Sequence, residues 1–159
     1  MGVGKTTVAE HLSGATGTPI ADSDQWIESA TGRDASTIAS EDGVSSLHEL
    51  EARALEEMLA TGERRIVTPA ASTVDDEESR QRLRERAMVV WLDAPMAVLQ
   101  ERMRGGQHRR TLDPGELEAL SADRSPLFAE VADLRLDATE APDRVAHRIL
   151  EAFGLVRVP

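Results

Sequence analysis

Gly2-Val3-Gly4-Lys5-Thr6-Thr7, near the start of the chain, is the run whose residue types most clearly dictate a chemistry. Two glycines let successive backbone N–H groups curl around an anion. The Lys5 ammonium can reach the β and γ oxygens of a nucleotide, and the Thr6 hydroxyl is a hard oxygen ligand suited to Mg2+. A helix that follows turns its positive end toward the same anion. Lys5 is also the only lysine in the chain, every other basic side chain being arginine or histidine. The plain alternative is a glycine-rich tail opening an ordinary helix. In the full Walker A pattern, G-x-x-x-x-G-K-[ST], Gly4 is the second glycine. The first then falls two positions before Met1, together with the strand that delivers the loop. That predicts that Met1 is an internal methionine preceded by roughly ten more residues, enough for one ordinary strand.

The elements that must position this loop are legible from periodicity. Apolar residues at helical spacing predict helices over 6–15, 23–31, 43–60, 95–103, 116–131 and 142–153, and a charged helix over 75–86. Residues 65–68, 87–92 and 134–137 read as short strands, with a brief apolar step at 18–21. Alternation of this kind implies βαβ units, hence an α/β fold with a parallel sheet covered on both faces, α/β/α in three layers. Ligands of such sheets sit outside the carboxyl ends of the strands, which places 22–24, 68–73 and Asp93 at the expected edge. A loop at about 104–114, with Gly105, Gly106, Gln107, His108, Arg109 and Arg110, has the make-up of a lid. No repeat or linker interrupts the pattern, so 1–159 is expected to form a single domain.

Composition narrows the partners. The 159 residues carry a net charge of −11, with 40% hydrophobic and 30% charged residues. An acidic surface disfavours nucleic acid and anionic lipid, and no apolar run approaches the roughly 20 residues a bilayer crossing needs. The absence of cysteine removes thiolate chemistry and cysteine metal sites. Without a secretory signature the expected location is cytoplasmic. Aromatics are 3% of the chain (Trp26, Trp91, Phe128, Phe153), so Ala, Val, Leu and Ile must fill the core.

Taken with Asp22-Ser23-Asp24, Ile27-Glu28, Thr31-Gly32, Gly43, Leu47 and Glu51, the glycine loop makes the chain resemble the shikimate kinase family. The likeness continues through Trp91-Leu92-Asp93-Ala94-Pro95, the arginines of the lid and Arg124-Ser125-Pro126-Leu127-Phe128, so it spans essentially the whole chain. It implies a five-stranded parallel sheet of the nucleoside-monophosphate-kinase type, with the strand before the phosphate loop at its centre and apparently lacking here. It implies ATP and Mg2+ as cofactors and phosphorylation of a small hydroxylated metabolite, shikimate to shikimate 3-phosphate, by a monomer.

By that resemblance Gly2, Val3, Gly4, Lys5, Thr6 and Thr7 cradle the nucleotide, and Thr6 and Asp22 serve the metal, Asp22 through water. Asp24 receives the acceptor hydroxyl, Arg110 closes over the phosphates with Arg109 as the competing register, and Arg124 forks onto the acceptor carboxylate. Lys5, Asp24 and Arg110 are the catalytic set. Each has a plainer alternative: a helix N-cap for the 22–24 segment, solvated loop charge for the arginine pair, and an ion pair with Asp123 or Glu130 for Arg124.

Two acceptor positions depart from the family. His48 falls where the resemblance places a first substrate arginine, and Pro69-Ala70-Ala71 where it places three glycines. His48 cannot present a bidentate fork, Pro69 lacks an N–H, and Ala70 and Ala71 add methyl groups where glycine allows close approach. Charge-assisted hydrogen bonds are worth roughly 1.5 to 3 kcal/mol each, so losing two weakens shikimate binding by about 10² to 10⁴. The acceptor contacts are then Asp24, His48, Ala71 and Arg124, and the alternative is a relative acting on another polyol or sugar acid, with His48, Ser72, Thr73 and Trp26 shaping a new pocket. Trp26 has the plainer reading of helix-face core, and Ser72 and Thr73 of caps for the helix near Asp75. A nucleotide-binding protein without kinase activity is the third possibility, one that needs fewer of Lys5, Thr6, Asp22, Asp24, Arg110 and Arg124.

Overall fold

Gly4, at φ 95°, turns the backbone into helix α1 (Lys5–Thr16), and left-handed Gly17 ends it, its N–H donating to the Ser13 carbonyl. The structure, a computed structural model, describes residues 2–104 and 113–155. Strand β1 (Ile20–Asp22) leads directly into α2 (Ser23–Thr31). Then come α3 (Ala35–Glu41), α4 (Val44–Ala60) and β2 (Ile66–Thr68). A 3-10 turn (Ala71–Asp75) precedes α5 (Glu77–Arg86), β3 (Val90–Asp93) and α6 (Met96–Arg104). Helix α7 (Pro114–Val131), β4 (Leu134–Asp137) and α8 (Pro142–Ala152) complete the described elements.

Most boundaries fall within two or three residues of the periodicity reading, and two elements differ in kind. Helix α3 has no counterpart in that reading because it buries only Ile38 and is too short to show a repeat; its start is fixed by Asp34, which accepts from Thr37 N–H. The 3-10 turn likewise has no counterpart in that reading, and the helix expected over 75–86 is α5, two residues shorter at its start. Asp76 lies between the two in extended conformation and caps α5 through Ser79 N–H. Thus neither Ser72 nor Thr73 is the cap.

The strands form two parallel pairs. In β1–β2, Ile20, Ala21 and Asp22 register with Ile66, Val67 and Thr68. In β3–β4, Val90 to Asp93 register with Leu134 to Asp137. Among the described residues no strand joins the pairs and none precedes α1, so the single five-stranded sheet is represented by its two outer halves. A cavity of about 720 Å³, lined by Val8, Leu12, Val67, Leu92, Phe128 and Ile149 among others, separates β2 from β3.

Three layers result. Val8 of α1 and Val145, Ala146 and Ile149 of α8 pack with Val90, Leu92, Leu134 and Leu136 on one face. Leu55, Val74, Leu83, Leu127, Phe128 and Val131 pack with Val67 and Val89 on the other. Val90 and Leu92 take one face while Val89 takes the opposite one, as the two-residue period of a strand requires. Val145, Ala146, Ile149 and Leu150 form one buried stripe along α8. Burying each large aliphatic there contributes about 1.5 to 3 kcal/mol, which holds α8 against α1.

Candidate active site

The phosphate loop takes its shape from two glycines. Gly2 (φ 70°) and Gly4 (φ 95°) have left-handed backbones that side chains resist. A Cβ on Gly2 would lie 3.2 Å from Met103 Cγ and 3.3 Å from the Leu99 carbonyl oxygen, so the loop seats directly on α6. No side chain caps α1, and its first turn is left facing outward, suited to an anion. Thr6 and Thr7 are exposed and Lys5 is half-buried.

Arg102 of α6 is a member of this site that motif reasoning did not single out. Its Nη1 donates to the Val3 carbonyl at 3.2 Å and its Nη2 to the Ala138 carbonyl just beyond β4 at 2.9 Å. The guanidinium thus ties the loop to the carboxyl end of β4 and adds a positive charge beside Gly4. The link spans 99 positions to Val3, so no local pattern could have disclosed it.

At the neighbouring strand end, Asp22 is the N-cap of α2. Its Oδ1 accepts from Asp24 N–H at 2.9 Å and Gln25 N–H at 3.2 Å, and its Oδ2 accepts from the Thr68 hydroxyl at 2.5 Å. The capping alternative holds for Asp22 itself, while Ser23 is buried and Asp24, just past the strand, is exposed. With both oxygens engaged, Asp22 suits a hydrated metal ion better than direct ligation. The donor set of Thr6 hydroxyl, carboxylate and water is the hard oxygen chemistry that Mg2+ takes. No group of three or more His, Asp or Glu able to hold a metal occurs among the described residues.

The residues expected to meet the acceptor stand on α4, the 3-10 turn and α7. Glu51 is buried, with 7% of its surface exposed, and accepts a short hydrogen bond from the Ser72 hydroxyl. Burial pushes its carboxyl above the usual range. The Ser72 hydrogen bond and the charges of His48 and Arg124 pull it back, and the Asp24 charge raises it further. Those influences gather Asp24, His48, Glu51 and Arg124 into one electrostatic neighbourhood. His48 sits one turn before Glu51 on α4, half-buried.

Arg124 does not pair with Asp123 or Glu130. Its Nε donates to Asp75 at 2.9 Å (Oδ1) and 3.2 Å (Oδ2), and its Nη2 donates to Oδ2 at 2.6 Å. Glu130 instead holds Arg80 and Arg84. The sequence around Arg124 explains its setting. Pro126 removes an N–H inside α7, the Ser125 hydroxyl donates to the Ser121 carbonyl at 2.6 Å, and Phe128 stacks on Trp91 at 5.8 Å. Leu127 and Phe128 anchor that turn in the core while Arg124 faces the site.

Lys5, Ala71 and Arg124 line the same cavity as the strand ends Thr68 and Asp93. Ala70 has φ −62° and, among the described residues, only glycines have positive φ. The Pro69-Ala70-Ala71 turn therefore runs without the backbone freedom that glycines offer. Trp26 is half-buried on α2, its Nε1–H donating to Glu57 at 3.1 Å with Arg53 over the ring, so it braces α2 on α4. Thr73 is buried and donates to the Ala70 carbonyl. Arg109 and Arg110, with Gln107, His108 and most of the 104–114 lid, lie outside the described residues.

Comparison with known proteins gives the family. A family model for shikimate kinase matches residues 1–153. The shikimate kinase of Symbiobacterium thermophilum is 36% identical over 142 residues, covering 86% of this chain and 81% of that one. That of Synechococcus elongatus is 35% identical over 162 residues, covering 98% and 84%. Among solved structures, the shikimate kinase of Acinetobacter baumannii in complex with shikimate superimposes with a TM-score of 0.91 at 26% identity, covering 100% of this chain and 91% of the other.

Proposed function

We propose that this chain, which belongs to the shikimate kinase family, transfers the terminal phosphoryl group of ATP to a hydroxyl of shikimate, giving shikimate 3-phosphate. One observation carries the reading: a phosphate loop shaped by left-handed Gly2 and Gly4 opens α1, while Asp24 just past β1 and Arg124 of α7 both act on the buried Glu51. A nucleotide phosphate and a small carboxylate fit at the two ends of such a site.

The chain's own groups divide the work of phosphoryl transfer, which needs positioning and charge neutralisation more than covalent chemistry. Backbone N–H groups from Gly2 to Thr7 and the Lys5 ammonium bind and orient the β and γ phosphates. Arg102 holds the loop in that shape. Asp24 orients the acceptor hydroxyl and takes its proton, Arg124 orients the acceptor through its carboxylate, and His48 and Ala71 border the acceptor. Thr6, with Asp22 through water, would hold Mg2+, which when bound supplies neutralisation of phosphate charge. Arg110 of the lid screens the phosphates. The chain works as one catalytic unit and as a monomer. The large apolar side chains exposed among the described residues are Ile20 of β1, Val44 at the start of α4 and Met88 before β3. No described helix is long and apolar enough to cross a membrane.

The test is ADP release from ATP by the purified protein in Mg2+, with and without shikimate, and mass analysis of the product. Shikimate-stimulated turnover with a phosphate-sized mass increase on shikimate is expected. ATP binding without any stimulation by shikimate would refute the assignment.

A further inference from the structure

The 3-10 turn at 71–75 makes two side-chain bridges in opposite directions. Ser72 donates to Glu51 of α4, and Asp75 receives the Arg124 fork from α7. The second bridge has the form in which arginine takes a free carboxylate: two N–H groups on two oxygens, closing at 2.9 and 2.6 Å. The Arg124 side chain is 12% exposed, whereas that of Asp75 is 39% exposed. The arginine is therefore fixed in the site while its carboxylate partner stands at the rim, able to swing into water.

We infer that Asp75 is a built-in competitor for the acceptor's carboxylate, a specificity-determining residue that an anionic acceptor must displace from Arg124. This rests on the reading of Arg124 as the group that receives that carboxylate. With Asp75 seated, the arginine's charge is already satisfied. An acceptor bearing a carboxylate pays the cost of releasing Asp75 before its own contact is gained. An acceptor with an uncharged group at that position has no such exchange to make. Apparent affinity for the anion is lowered by the fraction of molecules in which Arg124 is released. Half-exposure of the aspartate keeps the pair weak enough to open, so the effect is about five- to tenfold in KM.

The experiment compares wild type, Asp75→Asn, Asp75→Ser and Arg124→Ala in ADP release at fixed Mg·ATP, titrating shikimate and, separately, its carboxamide. The expected result is a KM for shikimate about five- to tenfold lower in both Asp75 variants, with no fall in the KM for the carboxamide. Arg124→Ala is expected to raise the KM for shikimate strongly. If Arg124→Ala cripples shikimate use but the Asp75 variants leave its KM unchanged or raise it, Asp75 merely braces the arginine and the inference is overturned while the assignment of Arg124 stands. Should Arg124→Ala leave shikimate use intact, the assignment of Arg124 fails and the inference falls with it. Thermal melts of all four proteins separate these outcomes from loss of folding.

Discussion

Asp22 caps α2 and, in the proposed mechanism, also serves a hydrated metal ion, and replacing it by Asn or by Ala pulls the two roles apart. As a cap, its Oδ1 receives two N–H groups at the start of α2 and its Oδ2 receives the Thr68 hydroxyl from β2. Ala removes all three contacts. Loss of an N-cap costs about 1 kcal/mol and loss of one further hydrogen bond about the same, together about 2 kcal/mol. In a chain of this length that lowers Tm by about 4 to 8 °C. Asn keeps a carbonyl oxygen for the two N–H groups, and the Thr68 hydroxyl can turn from donor to acceptor toward the new amide. Its cost is therefore expected within about 0.5 kcal/mol, or about 2 °C. The amide, however, has no charge to offer a hydrated metal ion. Loss of such an outer partner typically costs about 10- to 100-fold, so Asp22→Asn is expected to lower turnover by that factor and to raise the Mg2+ concentration needed for half-maximal rate. Differential scanning calorimetry and ADP release over a Mg2+ series measure the two halves. An Asn variant with wild-type turnover and Mg2+ dependence would reduce Asp22 to a cap.

Three further outcomes follow from contacts in the site. Arg102→Ala frees the Val3 and Ala138 carbonyls and is expected to raise the KM for ATP about tenfold with a Tm loss of about 2 to 4 °C; Arg102→Lys should fall between, since an ammonium cannot bridge both carbonyls in one plane. Burial raises the Glu51 carboxyl, so the folded state holds its proton more tightly than the unfolded chain and stability falls as pH climbs from the ordinary glutamate range toward the raised value. The Tm of Glu51→Gln relative to wild type should therefore rise across that window, and parallel melting profiles would contradict the cause. Asp76 is the opposite case: hydrogen bonding from Ser79 holds its carboxyl below the usual range. Its stabilising effect is present above the unfolded value and is lost as acid protonates it. Asp76→Ala should thus cost about 1 kcal/mol in Tm measurements near neutral pH and progressively less in acid.

How much of this was legible beforehand depended on the range of the interactions. The glycine loop and α1 are local: residue types within seven positions set the turn, and both glycines, read as letting the backbone curl, have left-handed backbones. The carboxyl ends of β1, β2 and β3 fall at Asp22, Thr68 and Asp93 because parallel alternation fixes which end is which. What escaped the sequence lies between distant segments. Asp75 and Arg124 are 49 positions apart, Arg102 and Val3 are 99 apart, and Ser72 meets Glu51 only because the 3-10 turn folds back on α4. Side-chain pairs of this kind have no periodic signature. Helix α3 escaped for a different reason, having a single buried apolar residue where amphipathic reading needs several.

Among the described residues, Asp22 and Thr68 belong to one strand pair and Asp93 to the other. Val8 of α1 and Ile149 of α8 pack on Val90 and Leu92, and Leu55 of α4 and Phe128 of α7 pack with Val67 and Val89. The placement of one strand end against the other is thus carried by aliphatic and aromatic side chains. Substitutions that resize Val67, Val89, Leu92 or Phe128 are expected to shift these strand ends without touching any group of the candidate site.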